Sequence, residues 1–285
     1  MAVAALAVML SGCGLVAPTI TEDPVEPFPT IEIGTDGSPA SELIAAVYVA
    51  ALQANGDQAI VVEVVPGTES LALADNSPMA MPVFAGTLLW EETSQPLPME
   101  PATTISDLAT AVAPAVGILQ TVKLDGGLVW AVLPDSGLSS LLDLAELPAG
   151  SAVAAPEFAM TLPSGVPALP AAYDANLIAE QIDDPSARAE ALTAGDVVAA
   201  LFRRTDIVEL DGLTLLDDPV GILAPDPVAV ALSDEFAEQR PDAVLVLDTV
   251  QAVLHEESFA ELVAAAAADG VGPAIAEWLA TRRLA

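Results

Sequence analysis

Short apolar runs alternate with amphipathic stretches along most of this chain, which predicts alternating strands and helices. Residues 31–34 and 60–65 are apolar runs of strand length. Between them, apolar residues recur at helical spacing over 43–52, and Ser38 and Pro39 fit the N-cap and the first helical position. The three segments form a β-α-β unit, so we expect two parallel strands joined by a right-handed crossover.

The same alternation continues to the end of the chain. Further strands are predicted from apolar runs at 128–133, 151–155, 197–202, 213–216 and 228–232. Further helices are predicted from spacing and end signals at 105–116, 139–147, 187–192, 241–255, 257–268 and 273–283. Strands that alternate with helices indicate an α/β fold with largely parallel sheets.

The acidic composition of the chain and its single cysteine exclude several classes of binding partner and structural site. Asp and Glu outnumber Lys and Arg by 41 to 7, which gives a net charge of −34. Binding to DNA, RNA or an anionic membrane surface needs Lys and Arg, so these partners are not expected. The charge has two readings: a lineage or high-salt composition, or attraction of a cationic ligand. With Cys13 as the single cysteine, neither an internal disulfide nor a cysteine-based zinc site is predicted.

The N-terminal stretch has the features of a targeting segment. Residues 1–10 are apolar but too short for a spanning helix. The run ends in Leu-Ser-Gly-Cys, which resembles the lipobox of bacterial lipoproteins and implies a signal peptide over 1–12 and a lipidated Cys13. No Lys or Arg precedes Cys13, so the start is expected to be internal to the true signal peptide; an incidental cysteine is the alternative.

The segment after Cys13 is rich in proline, which predicts an extended tether over 13–30. Together these features predict an extracytoplasmic protein anchored to the cell membrane as a lipoprotein.

Catalytic chemistry has little basis in this sequence. A Ser-His-Asp triad would have to use the single histidine, His255, for which a surface or capping role near the end of a predicted helix is expected instead. Phosphate-binding and dinucleotide-binding glycine loops are not found. Asp217 and Asp218 do not form an EF-hand pattern and are expected to close a strand. We therefore expect no catalytic residue, no metal and no cofactor.

Several stretches carry motifs in a particular order. They are Ile31, Ile33, Gly34, Tyr48 and Gly56; PVFAGTLL over 82–89; Pro156-Glu157-Phe158; Gly195-Asp196-Val197; Thr205-Asp206; Leu216-Asp217-Asp218 with Pro225; and Pro273, Ala276, Trp278 and Leu279. Over about residues 31–279 this order and spacing resembles the substrate-binding proteins of glycine betaine/choline-type ABC importers.

The chain departs from that family at a few positions. Phe84 stands where the family has Tyr, Val83 where it has Glu, and Met79 at an acidic position. Thr161 occupies a region that commonly holds Arg, and Asp226 lies where the family usually has Asn. These departures concern the ligand more than the fold.

The resemblance implies an α/β, two-lobed periplasmic-binding-protein-like fold of type II. Each lobe would hold a mixed, mainly parallel sheet flanked by helices, with two crossovers between lobes. Lobe 1 would comprise residues 31–121 and 225–285, and lobe 2 residues 122–224. The implied ligand-binding residues are Ser41, Met79, Phe84, Thr87, Glu157, Phe158, Thr205, Asp206 and Asp226. An ABC permease is the implied partner, and a monomer is expected.

A quaternary ammonium ligand cannot donate hydrogen bonds, so aromatic faces and carboxylates must recognise it. Phe84 and Phe158 are expected on cleft loops, whereas Tyr48 and Trp130 suit the core. The acids could be carboxylate ligands or solvated loop residues. Two hypotheses follow: an importer component that binds glycine betaine, choline or a related solute, or the same fold with a degenerate cage, acting as an envelope sensor or interaction lipoprotein or binding a different small solute.

Overall fold

The computed structural model describes residues 29–208 and 212–284, which form two lobes with one five-stranded sheet each. The predicted signal peptide, Cys13 and nearly all of the predicted tether lie outside the described residues. Within the described ranges, no helix has both the length and the apolar character needed to cross a membrane.

The first lobe begins with the predicted β-α-β unit. Its elements are β1 (Ile31–Thr35), α1 (Pro39–Ala54), β2 (Ala59–Glu63), α2 (Glu69–Ala74), β3 (Ala80–Phe84), α3 (Ala85–Thr93), α4 (Pro101–Val112) and β4 (Val116–Ile118). Ser38 caps α1, because its side chain accepts a hydrogen bond from the backbone N–H of Ser41. β1 and β2 are parallel, as expected.

The chain then enters the second lobe. Its elements are β5 (Leu128–Val132), β6 (Ala152–Ala155), α5 (Ala168–Tyr173), β7 (Ile178–Gln181), α6 (Pro185–Ala194), β8 (Ala199–Arg203) and β9 (Thr214–Leu215). Short 3₁₀ turns at Pro134–Ser136, Leu141–Glu146 and Glu157–Met160 connect them. The middle turn occupies the stretch predicted as a helix over 139–147.

The chain finally returns to the first lobe. It forms β10 (Val228–Ser233), α7 (Asp234–Gln239), α8 (Pro241–Val253), α9 (Glu256–Asp269) and α10 (Val271–Arg282). His255 is the N-cap of α9, where its Nδ1 accepts a hydrogen bond from the Ser258 backbone N–H at 3.4 Å. His255 thus caps a helix, but it does so at the start of α9 and not at the end of the helix predicted over 241–255, because α8 already ends at Val253.

The two sheets share one plan. Their strand orders are β2-β1-β3-β10-β4 and β7-β6-β8-β5-β9. In each, three parallel strands are followed by one antiparallel strand, and the fifth strand is antiparallel to that one. Both sheets are thus mixed and mainly parallel, as the type II fold requires. The reversed strands, β5 and β10, are those that the chain enters on crossing between lobes.

The two crossing segments pair with each other. Asp125 and Pro227 form an isolated antiparallel bridge. The Gly126 N–H donates to the Asp226 carbonyl at 2.9 Å, and the Val228 N–H donates to the Leu124 carbonyl at 2.9 Å. This short ladder joins the lobes beside the space that separates them.

The buried faces of the elements match the apolar pattern. Tyr48 and Trp130 are both fully buried, as predicted for core residues. The Tyr48 hydroxyl donates to Gln251 Oε1 at 3.0 Å, and Gln251 donates to the Val228 carbonyl, so the buried polar tip is satisfied. Burial raises the pKa of Tyr48 and keeps its hydroxyl neutral.

One predicted helix is too long at its C-terminal end. The prediction placed it over 105–116, but α4 ends at Val112 and Val116 begins β4. Pro114 explains the difference. Proline lacks a backbone donor and disfavours helical geometry at the residue before it, so Ala113 adopts an extended conformation.

Candidate ligand-binding cleft

A cavity of about 730 Å³ lies between the two lobes. Its walls come from the carboxyl ends of β1, β3, β6, β7 and β8 and from the loops and helix starts that follow them. Parallel strands that end at one edge of a sheet gather their following loops there, which is where ligands bind in open α/β sheets. The cavity is therefore the candidate binding site.

A cation from the chain itself contacts two aromatic rings in this cleft. Arg203 is the last residue of β8 and is buried, with 6% of its surface exposed. Its guanidinium carbon lies 3.7 Å from the centre of the Phe84 ring and 4.0 Å from that of Phe158. Phe84 ends β3 in the first lobe, and Phe158 follows β6 in the second, so Arg203 joins the lobes through cation–π contacts.

Asp226 supplies the negative charge for this group. Its carboxylate accepts hydrogen bonds from the backbone N–H groups of Gly86 and Thr87, at 2.7 and 3.2 Å, and from Thr87 Oγ1 at 2.6 Å. It also forms a salt bridge of 2.6 Å with Arg203, whose other terminal nitrogen donates to Thr87 Oγ1 at 2.9 Å. The carboxylate thus lies at the N-terminus of α3, which the helix dipole favours. We call Phe84, Phe158 and Asp226 the cation cage.

A second buried arginine lines the cleft. Arg188 of α6 forms a salt bridge of 2.7 Å with Asp206 and donates to the carbonyls of Ile182 and Asp183, each at 2.8 Å. Its guanidinium carbon lies 5.2 Å from the Phe202 ring centre. Burial raises the pKa of Asp206, and the Arg188 charge opposes that shift. Asp206 is therefore engaged within its own lobe.

The rest of the wall is acidic. Asp36, Glu69, Glu91 and Glu157 line the cavity, and we call these four residues the acidic rim. Glu91 is open to the cleft, yet loss of hydration against the cleft walls raises its pKa to about 7, with the charge of Glu69 adding to the shift and Arg203 opposing it. Burial also raises the pKa of Glu69. Both arginines that line the described wall are paired with aspartates, so the rim keeps a negative potential.

The predicted ligand-binding residues fall into two groups. Phe84, Thr87, Glu157, Phe158 and Asp206 line the cavity. Asp226 contacts two of the lining residues, Thr87 and Arg203, without being part of the wall.

Three other predicted residues are not on the cavity wall. Ser41 is buried in α1 and its hydroxyl accepts a hydrogen bond from Thr35 Oγ1 at 3.0 Å. Met79 packs against the core of the first lobe, and Thr205 is buried at 1% exposure.

The prediction did not include the arginines or Glu91. The sequence does contain a signal for Arg203, because the chain has only seven Lys and Arg residues in all and Arg203 directly follows the apolar run predicted as a strand over 197–202. The sequence therefore marks the position of Arg203 but indicates neither its burial nor its partner. Within the described parts of the chain, no group of three or more His, Cys, Asp or Glu side chains could hold a metal ion.

Comparison with known proteins decides the family. Residues 29–281 match the model of OpuAC, the substrate binding domain of the ABC-type glycine betaine transport system. The chain belongs to this family. The family consists of binding proteins, so the chain is not an enzyme. No curated protein matches the chain in sequence.

Solved structures of this family agree with the fold. The crystal structure of a glycine betaine/carnitine/choline ABC transporter protein is 14% identical, with a TM-score of 0.70 over 89% of this chain and 99% of that one. Lactococcal OpuAC in its closed, glycine betaine-bound form is 14% identical, with a TM-score of 0.66 over 90% and 97%. Apo YehZ from Escherichia coli is 17% identical, with a TM-score of 0.65 over 90% and 100%. At these identities the likeness concerns the two-lobed fold.

Proposed function

We propose that this OpuAC-family protein is the extracytoplasmic solute-binding component of an ABC importer and that it closes its lobes on a small compatible-solute-like ligand with a quaternary ammonium group, such as glycine betaine or choline. One observation carries the proposal: Phe84, Phe158 and Asp226, drawn from both lobes and a crossing segment, already surround a cation. Aromatic faces with a nearby carboxylate are the chemistry that recognises alkylammonium groups.

The charge of the cleft supports the same class of ligand. The acidic rim faces the cavity, and the whole chain carries a net charge of −34. A concave site of one sign of charge concentrates solutes of the opposite sign. Proteins of similar fold include a glycine betaine/carnitine/choline ABC transporter protein, a complex with glycine betaine and a complex with choline, and these solutes share the quaternary ammonium group.

The membrane anchor belongs to the same proposal and rests on sequence. Lipidation of Cys13 and the tether over 13–30 would hold the lobes outside the cell membrane, within reach of a permease partner. Replacing Cys13 with Ala should move the protein from the membrane fraction to the soluble fraction. Retention of the variant in the membrane fraction would refute the anchor.

Calorimetric titration with glycine betaine, choline, carnitine and proline betaine tests the ligand class. We expect saturable heat with one or more of them, and a loss of roughly tenfold in affinity in Phe158→Ala, because each ring face contributes about 0.5–2 kcal/mol. The matched control is Leu142→Ala, at an exposed apolar residue of the second lobe that does not line the cavity. No heat with any of the four solutes would refute the ligand class.

The contact of Arg203 with the two phenylalanine rings also supports a second candidate function, that of a sensor or interaction protein. Arg203 already fills the cation cage, which suits a family member whose cage no longer serves a ligand and which acts as an envelope sensor or interaction lipoprotein. The titration separates the two functions. Binding that depends on Phe158 supports import, whereas a protein that binds none of the solutes supports the sensor.

A further inference from the structure

The cation cage of the proposed function is filled by Arg203, and this has a consequence for ligand specificity. We propose that Arg203 is a built-in competitor of the ligand, which lowers affinity for quaternary ammonium groups and can be removed to raise it. The inference rests on the proposed function, because it concerns the same cleft.

The contacts of Arg203 are those a bound cation would make. Its guanidinium meets a ring from each lobe, at 3.7 and 4.0 Å, and pairs with the Asp226 carboxylate at 2.6 Å. It also donates to Thr87 Oγ1, a residue of the first lobe, although it belongs to a strand of the second. Arg203 therefore fills the space between the rings and bridges the lobes as a ligand would.

The cage that Arg203 would leave behind is suited to a cation without hydrogen-bond donors. The Asp226 carboxylate keeps three donors after the arginine is removed: the N–H groups of Gly86 and Thr87 and the Thr87 hydroxyl. Its hydrogen-bonding needs are met, and its charge remains. A quaternary ammonium group offers charge and methyl groups but no N–H, so it fits two rings and a carboxylate that is already hydrogen bonded.

In the wild-type protein a ligand cation must first displace the guanidinium. Displacement breaks a buried salt bridge whose two side chains are 7% and 5% exposed, and removes the guanidinium from both rings. The ligand regains only part of that energy from the same partners, so binding is weakened. Truncation at position 203 removes the competitor and opens the cage to the adjoining cavity.

Titration of wild type, Arg203→Ala and Arg204→Ala with tetramethylammonium tests the inference. Arg204 is the matched control, because it is adjacent in sequence but has a half-exposed side chain and a loose pair with Asp125 at 3.8 Å. We expect Arg203→Ala to bind tetramethylammonium at least about tenfold more tightly than wild type, and Arg204→Ala to match wild type. Equal or weaker binding by Arg203→Ala would overturn the inference.

Two further measurements keep the test decisive. Arg203→Gln, which is neutral but keeps polar atoms for Thr87, should gain affinity in the same direction if the alanine variant fails to fold. Millimolar methylguanidinium should raise the thermal midpoint of Arg203→Ala and leave that of the wild type unchanged, because it refills the cage. Absence of both effects would refute the inference.

The outcomes also separate this inference from the proposed function. If the wild type binds a solute of the betaine panel but neither Arg203 variant gains affinity, the function stands and the competitor is refuted. If neither the wild type nor a folded Arg203 variant binds any quaternary ammonium probe, both are refuted. If the Arg203 variants bind tetramethylammonium and the wild type binds nothing, the competitor is supported and the proposed ligand class is not.

Discussion

Arg188 and Arg203 are chemically alike and structurally different. Both are buried, both pair with an aspartate at 2.6–2.7 Å, and both lie against phenylalanine rings. In the described part of the chain, the hydrogen-bond partners of Arg188 all belong to the second lobe. Arg203 instead has partners in both lobes and in the crossing segment that carries Asp226.

These partners indicate that Arg188 stabilises the fold of one lobe, whereas Arg203 acts in the cleft between the lobes. Arg188 connects α6 to the loop after β8. It therefore stabilises the second lobe whether the two lobes are open or closed. The contacts of Arg203 with Phe84 and Thr87 depend on the lobes being together. We therefore expect loss of Arg188 to change stability first, and loss of Arg203 to change ligand binding first.

The largest expected effect is on the free energy of unfolding. Arg188→Ala should lower it by about 3–5 kcal/mol, because Asp206 is left charged and buried, and among the described residues the Arg203 backbone N–H is the one hydrogen-bond donor that remains to it. Arg203→Ala should lower it by about 1–3 kcal/mol, since Asp226 keeps three donors. Urea unfolding of both variants measures the difference.

The same experiment has an internal control and a pH check. Arg204→Ala, with its half-exposed side chain, should change stability by less than about 0.5 kcal/mol. The deficit of Arg188→Ala should shrink towards low pH, because Asp206, whose pKa is already raised by burial, then binds a proton and no longer needs a partner. Equal losses for Arg188 and Arg203 would contradict the division of roles.

A smaller loss of stability is expected from Gly126→Ala, which places a methyl group against the Phe84 ring of the cation cage. A Cβ at Gly126 would lie 2.5 Å from Phe84 Cε1 and 3.2 Å from the Asp226 carbonyl oxygen. The ring must move, so Gly126→Ala should cost about 1–3 kcal/mol. Gly117→Ala is the control, because nothing lies within 4 Å of the added carbon.

Double variants show whether that cost belongs to the cage. The loss of unfolding free energy caused by Gly126→Ala should be smaller in the Arg203→Ala background, where the Phe84 ring has room to move. In the Arg188→Ala background the two losses should add. Additivity in both backgrounds would show that the ring and Arg203 are not coupled.

The smallest expected effect is the pH dependence of ligand affinity. Because the pKa of Glu91 is about 7, its carboxylate is mostly charged at pH 8 and mostly neutral at pH 6. Choline, which carries a net positive charge, should therefore bind about threefold to tenfold more weakly at pH 6. Calorimetry at the two pH values, with Glu91→Gln as the variant that should lose the dependence, measures it. Tighter binding at pH 6 would contradict the sign.

Much of the fold could be predicted because its signals are local. The apolar run at 31–34 specifies a strand, and the cap at Ser38 with the helical spacing around Tyr48 specifies the helix that follows it. Parallel β-α-β connections then have one allowed hand. The error at Val116 arose where an apolar residue continued the helical spacing beyond Pro114, and the proline was the stronger signal.

The site could be predicted only in part, because it is made by contacts distant in sequence. Phe84 and Phe158 lie 74 positions apart by number, and no periodicity indicates that both meet one guanidinium. From the sequence, Asp226 could be either a ligand carboxylate or a solvated loop acid, because the N–H groups that hold it belong to α3, which is distant along the chain. Burial of Arg203 could not be predicted from its charge, which favours the surface until a partner is known.

A crystal structure of the wild-type protein grown with saturating choline tests the central claim most directly. The account predicts the trimethylammonium group between Phe84 and Phe158, near the Asp226 carboxylate, with the Arg203 guanidinium moved out of the cage. Choline bound elsewhere while Arg203 still contacts both rings, or a cleft without choline at saturation, would contradict it.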